Sequence, residues 1–201
     1  MPFEFEELGL GVILIKPRVF PDNRGYFKEI FKESEFRKMN IPAPKQANVS
    51  FSKPGVVRGL HYQLPPKEQG KIVTVMKGRI IDVAVDIRKK SKSFGKYVQA
   101  ELSDDNHYML WIPPGFAHGF QALEDSTVLY FVTHNEYSPP HERCVNYTMI
   151  DWPIKNVIVG EKDTKCPPLE RAEVFAPLEL YQAPKTRGLL CASKTPREKQ
   201  P

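Results

Sequence analysis

The chain has 201 residues, 41% hydrophobic and 26% charged, a balance that suits one soluble globular domain with a real core. Its net charge of +5 sits almost wholly at the C-terminal end: residues 185–201 carry five basic side chains against Glu198, while the rest carries 24 basic and 23 acidic groups. A near-neutral body argues against a nucleic-acid-binding face, and no apolar run approaches the roughly 20 residues of a membrane span.

The expected organisation is one domain over residues 1–184 followed by a basic, flexible tail over 185–201. The N-terminus, Met1-Pro-Phe-Glu-Phe-Glu-Glu, lacks the basic and apolar regions of a signal peptide, which points to the cytoplasm. Cys144, Cys166 and Cys191 are odd in number and widely spaced, with no CxxC pair. The expectation is reduced, structural thiols and neither a disulfide framework nor a zinc site.

In chain order, residues 11–16, 46–51, 56–62, 71–76, 80–88, 97–102, 108–112 and 127–132 are rich in Val, Ile and aromatics and are separated by Pro, Gly, Asp or Asn clusters. Each reads as a short strand. Lys77-Gly78 marks a hairpin turn between two of them. Only residues 34–39 read as helical, with Ser34 as the N-cap. Many short strands with Pro- and Gly-rich turns predict an all-β sandwich or barrel.

Alternation places Gln46, Asn48 and Ser50 on one face of their strand, and Asp82, Ala84 and Asp86 on one face of theirs. A solvated face is the simpler reading for such positions, and the lining of a wet pocket the other. Arg58 and His61 stand three residues apart in Gly55-Val-Val-Arg58-Gly-Leu-His61-Tyr-Gln63, a run that otherwise reads as a buried strand. A guanidinium is costly to bury unless an anion meets it, and an imidazole titrates near neutral pH. The pair suggests a site that holds an anion and moves a proton. Lys71, at the head of Ile72-Val-Thr-Val-Met76, either snorkels outward or turns inward toward a partner such as Asp82. His61-Tyr62-Gln63 lacks the second imidazole of a His-x-His metal site, so no metal is expected. Nor is there a Gly-rich phosphate loop, which leaves Arg24, Arg58 and Lys71 to hold any phosphate.

Several motifs occur in one order: Asp22-x-Arg24-Gly-x-Phe27-x-Glu29, Gln46-x-Asn48-x-Ser50, the Arg58–His61 run, Lys77-Gly78-x-x-x-Asp82-Val-Ala-Val-Asp86, Pro114-Gly115-Phe-Ala-His118-Gly-Phe and Asp151-Trp-Pro. The ordered set resembles the dTDP-4-dehydrorhamnose 3,5-epimerases. The resemblance implies a cupin-type jelly roll, a homodimer, and inversion of the two carbons flanking a C4 ketone without metal or coenzyme. Carried over position by position, it implies His61 as base, Asp163 as its orienting carboxylate and Lys71 as the cation for the oxyanion. It implies His118 beside the sugar, with Arg24, Phe27, Glu29, Gln46, Asn48 and Arg58 on the nucleotide and diphosphate, and Glu142 and Lys162 on further substrate contacts. The proton donor falls on Tyr130 in Ser126-Thr-Val-Leu-Tyr130, with Tyr137 the second candidate. Aligning from the Pro loop instead would put Phe131 at that position. A mono-epimerase, a non-catalytic sugar-nucleotide-binding cupin and a metal-dependent cupin oxygenase stand as rival readings.

Overall fold

The computed structural model describes residues 2–176; the tail expected from residue 185 lies outside the described residues. Strands β1 (Phe3–Gly9) and β2 (Val12–Pro17) form a hairpin, and β3 (Val19–Asp22) and β4 (Gly25–Lys28) form a second that joins neither large sheet. After α1 (Glu33–Phe36) and a 3₁₀ turn come β5 (Gln46–Ser52), β6 (Val56–Gln63), β7 (Gly70–Lys77), β8 (Arg79–Asp86) and β9 (Tyr97–Ser103). Then follow β10 (Met109–Ile112), β11 (Phe116–Ala122), β12 (Ser126–Thr133), the short β13 (Glu142–Cys144) and β14 (Ile158–Val159), and the single-turn α2 (Glu161–Thr164). One sheet runs β1-β2-β10-β7-β12-β5. The facing sheet runs β13-β6-β11-β8-β9, with β14 parallel beside β6. The expected all-β jelly roll, with few and short helices, is the fold.

Three apolar clusters explain why so many strands read as continuous hydrophobic runs. Val12, Leu14, Val73, Val75, Ile80, Leu110, Phe120 and Val128 pack between the sheets. On the outer face of the first sheet, Ile13, Ile15, Ile72 and Met109 meet Phe36 and Ile41 around α1. On the outer face of the second, Val57, Val83, Val85 and Ala117 are covered by Val145, Ile150, Trp152 and Phe175 from the C-terminal part. Both faces of the central strands are thus occupied, the circumstance that removes simple inside–outside alternation there, while the edge strands β5 and β9 keep an exposed face.

That packing corrects one expectation. Asp82 and Asp86 do not lie on a solvated face; both are fully buried. Asp86 accepts from Arg88, Ser91 and Ser93, and Asp82 belongs to the site. The helical segment lies where it was expected, but its second half is a 3₁₀ turn at Arg37–Met39, and the N-cap position of α1 is Lys32 rather than Ser34, with no side-chain cap. The turn at Lys77-Gly78 is where it was expected. Gly78 has φ +87, and a Cβ there would meet Asp125 O at 2.3 Å.

The cysteine expectation fails. Cys144, at the end of β13, and Cys166, beyond α2, form a disulfide with their Cα atoms 5.5 Å apart. They are 22 residues apart in sequence, and only the return of the chain to the edge of β6 brings them together.

Candidate active site

The pocket begins with an irregularity in β6. His61 pairs with His118 on β11 and Arg58 pairs with Phe120, so three residue steps on β6 oppose two on β11. In a regular strand, positions three apart point to opposite faces. The extra residue cancels that half-turn, and Arg58 and His61 both line one cavity of about 540 Å³. Gly59 makes the bulge possible: its φ is +121, and a Cβ there would lie 2.6 Å from Gly119 Cα and 2.7 Å from His118 O. Its N–H, released from regular ladder pairing, donates to Asp163 Oδ2 at 3.0 Å.

Asp163 comes from α2, 102 positions beyond His61, and its Oδ1 lies 2.7 Å from His61 Nε2. Burial alone would raise its pKa. The bonds from His61 and Gly59 outweigh that and hold the carboxyl below the usual carboxylate range. With Nε2–H donated to Asp163, the free lone pair of neutral His61 is on Nδ1.

A second imidazole–carboxylate pair lies beside it. His118 Nε2 is 2.7 Å from Asp82 Oδ1, both groups buried, and burial pulls the His118 pKa below the ordinary imidazole value despite the carboxylate. Lys71 points inward, as one of the two readings held. Its Nζ donates to the His61 carbonyl at 3.1 Å, while Asp82 acts on it through charge rather than as a hydrogen-bond partner. Burial pushes its ammonium down to about 8, against the attraction of Asp82 and Glu142.

The opposite wall is β12 of the first sheet. Tyr130 lines the cavity together with His61 and Lys71, and burial raises its phenol. Phe131 alternates to the outer face and packs with the cluster around Phe36. A contiguous cavity of about 290 Å³ shares His61, Lys71 and Tyr130 and is extended by Gln46, Asn48, Gln63, Tyr137 and Glu142. Tyr137 O–H donates to Glu142 Oε2 at 2.7 Å, which Lys162 Nζ approaches at 2.6 Å. Gln46 Nε2 donates to Asn48 Oδ1, and Arg58 is held by Ser52 Oγ and Phe51 O. The solvated-face reading of Gln46, Asn48 and Ser50 therefore yields to the pocket reading.

Three expected residues are not at these cavities. Arg24 sits at the tip of the β3–β4 hairpin with its side chain 85% exposed, paired to Asp22. Phe27 is 65% exposed, and Glu29 is half-buried just past β4. Conversely, the cavities include Gln69 and Ile158, which lie in none of the motifs, and Gln63, Phe120 and Gly160, to which no role was given. Among the described residues no group of three or more His, Cys, Asp or Glu side chains is arranged to hold a metal ion.

Fold and pocket together define the class: a cupin-like isomerase whose two sheets set a histidine–carboxylate pair against a tyrosine. The family model for dTDP-4-dehydrorhamnose 3,5-epimerase matches residues 9–171, and the chain belongs to that family. It is 45% identical over 161 residues to the dTDP-4-dehydrorhamnose 3,5-epimerase of Shigella flexneri, covering 76% of this chain and 87% of the relative. The crystal structure of the Sulfolobus tokodaii dTDP-4-dehydrorhamnose 3,5-epimerase superposes with a TM-score of 0.86 at 72% identity, covering 87% of this chain and 99% of that one. The Legionella pneumophila enzyme, solved with dTDP-4-keto-L-rhamnose, superposes with a TM-score of 0.80 at 36% identity over 84% of this chain and 94% of its own.

Proposed function

We propose that the chain inverts carbons 3 and 5 of dTDP-4-dehydro-6-deoxy-D-glucose, giving dTDP-4-dehydro-L-rhamnose. The observation that carries this is the placement of His61 and Tyr130 on opposite walls of one cavity with Lys71 between the same boundaries. Inversion at a carbon next to a ketone needs a base on one face, an acid on the other and a cation for the oxyanion.

His61 Nδ1 takes the proton, the C–H electron pair passes into the enolate, and the charge developing on the C4 oxygen meets the Lys71 ammonium. Asp163 holds the imidazole and stabilises its charged form. Tyr130 returns a proton to the opposite face. His61 and Tyr130 then recover their original states through solvent, and the same cycle serves the second carbon after the sugar turns. Every proton transfer runs through a side chain of this cavity, so activity is expected to survive a chelator. Arg58, Lys162, Gln46, Asn48, His118, Tyr137 and Glu142 supply the substrate contacts.

Arg24, Phe27 and Glu29 enter this reading through a second copy of the chain. The functional unit we propose is a homodimer in which the β3–β4 hairpin reaches the partner's cavity. Its support is the exposure of Phe20, Tyr26 and Phe27 on a hairpin belonging to neither large sheet, together with the apolar outer face of edge strand β5, where Val49 is 66% and Phe51 54% exposed. A cytoplasmic location is part of this proposal, although disulfides are rare in that compartment outside hyperthermophilic archaea and bacteria.

Incubating the protein with the 4-keto sugar nucleotide in D₂O and following the product by NMR tests the reaction. Deuterium at both carbons, with L-lyxo product captured by a coupled reductase, is expected. Label at one carbon alone would mean a mono-epimerase, and none from folded, nucleotide-binding protein would sink the catalytic reading.

A further inference from the structure

The Cys144–Cys166 disulfide joins edge strand β13 to the stretch of chain just beyond α2. Cys144 ends the three-residue edge strand β13 and lies directly opposite His61 in the β13–β6 pairing. Cys166 is buried, three residues beyond Asp163, and its backbone N–H donates to the Asp163 carbonyl at 3.3 Å. Between them, α2 is a single turn, too short to persist without tertiary support. Its further ties across this seam are the Lys162–Glu142 ion pair, whose lysine is exposed, and, at and beyond Cys166 rather than on the Asp163 side of it, a 3.4 Å contact from Asn146 Nδ2 to Cys166 O and a 2.8 Å bond from Asn146 N–H to Pro167 O. Exposed ion pairs hold geometry weakly. His61, by contrast, is fixed by β6, which is paired to β11 and β13.

Asp163 is therefore the loosely mounted half of the His61–Asp163 pair, and the disulfide is the covalent link between the turn that carries it and the strand beside its imidazole. We propose that Cys144 and Cys166 are positioning residues for catalysis: their bond holds Asp163 against His61 Nε2, and its reduction lowers turnover by letting α2 move off. This rests on the acid–base reading above. The reductant is an added dithiol; it is oxidised to its cyclic disulfide while each cysteine sulfur gains one electron and one proton. Misplacing an orienting group by about 1 Å costs on the order of 10²-fold in rate, so kcat is expected to fall roughly 10–100-fold while KM changes little.

The test uses the full chain with Cys191→Ser, so that no third thiol can exchange, and thiol alkylation with mass measurement to establish the redox state. Deuterium wash-in and inversion are followed before and after reduction, in the Cys144→Ser/Cys166→Ser variant, and in each background again with Asp163→Asn. A fall in kcat on reduction that disappears once Asp163 is Asn places the disulfide's effect at Asp163. Equal rates for oxidised and reduced enzyme, a fall that persists undiminished in the Asp163→Asn background, or a fall seen only in KM would each overturn the positioning role and leave the acid–base reading intact. An oxidised parent enzyme that binds nucleotide but exchanges no deuterium overturns that reading itself.

Discussion

Lys71 is buried at the head of a strand whose next four residues are also buried. Its pKa of about 8 in the folded protein, against 10.5 ordinarily, has two consequences of opposite value. Between those pH values the unfolded chain binds the additional proton, so stability rises with pH across that window, and the cost of burying the charge, roughly 3 kcal/mol, is fully present only below about pH 8. Lys71→Met removes that cost and is expected to unfold at higher denaturant than the parent at pH 7, with the advantage gone by pH 10.5. Activity runs the other way, because only the ammonium can meet an enolate. In the parent, kcat/KM is expected to fall as pH rises through about 8, and Lys71→Arg, which stays charged, is expected to lose that limb whatever its absolute rate. A parent profile flat to pH 9.5 would exclude Lys71 from the oxyanion's environment.

The two tyrosines separate on a similar argument. Tyr130 stands in the cavity on the wall facing His61, whereas Tyr137 is half exposed and donates to Glu142. Tyr130→Phe leaves the base in place, so deuterium should still exchange from the face His61 serves while net inversion drops about 10²–10⁴-fold. Tyr137→Phe should leave inversion within a few-fold of the parent. The reverse pattern would assign the donor to Tyr137.

At the scale of elements, the bulge in β6 decides whether there is a site at all, since it turns Arg58 and His61 to the same side. Gly59→Ala would place a Cβ within 2.7 Å of backbone atoms on β11, and backbone cannot step aside as a side-chain tip can. Expected is a loss of about 1–3 kcal/mol with its φ strain and a fall in kcat from the displaced His61. Gly160→Ala, where the space is open and φ is −67°, is the control whose thermal midpoint should stay near that of the parent. Equal thermal midpoints for the two variants would mean that β6 can relax the bulge.

These elements also show what the sequence makes legible. Strands β5 to β8 could be read because Val, Ile and aromatic residues mark them and a Gly turn separates β7 from β8. β11 carries no such mark: Phe-Ala-His-Gly-Phe-Gln-Ala has no β-branched residue, and its entire burial is imposed by β6 and β8 on either side. Lys71 and His61 were conspicuous because charge or a titratable ring interrupted an apolar run. Asp163 lies in an unremarkable Gly-Glu-Lys-Asp turn, and only resemblance marked it; the residue that needs it is 102 positions away. The disulfide was invisible for the same reason, since pairing of cysteines 22 apart is set by the return path of the chain and not by their spacing.

For the whole molecule, the two-sheet architecture supplies base and acid from opposite walls but leaves the third group of expected residues outside. The β3–β4 hairpin is anchored on His107, by Lys28 Nζ at its base 3.3 Å from His107 Nδ1 and by the Tyr26 ring nearer the tip, centroids 4.7 Å apart, while Arg24 at the tip bonds Asp22 among the described residues. If the tip completes a second copy's cavity, the two lesions Arg24→Ala and His61→Ala fall in the same site of a mixed dimer. One site then combines an intact His61 with the partner's intact Arg24, and the other carries both defects. Random mixing of two nearly inactive homodimers should restore about a quarter of parental activity at subsaturating substrate, because half the dimers are mixed and one of their two sites is whole. Sedimentation velocity on the parent should show a species of twice the chain mass. Were the hairpin to serve its own protomer, no site in the mixture would be whole and activity would stay at the level of the separate variants, since each Arg24-deficient site would still hold its diphosphate with one guanidinium fewer.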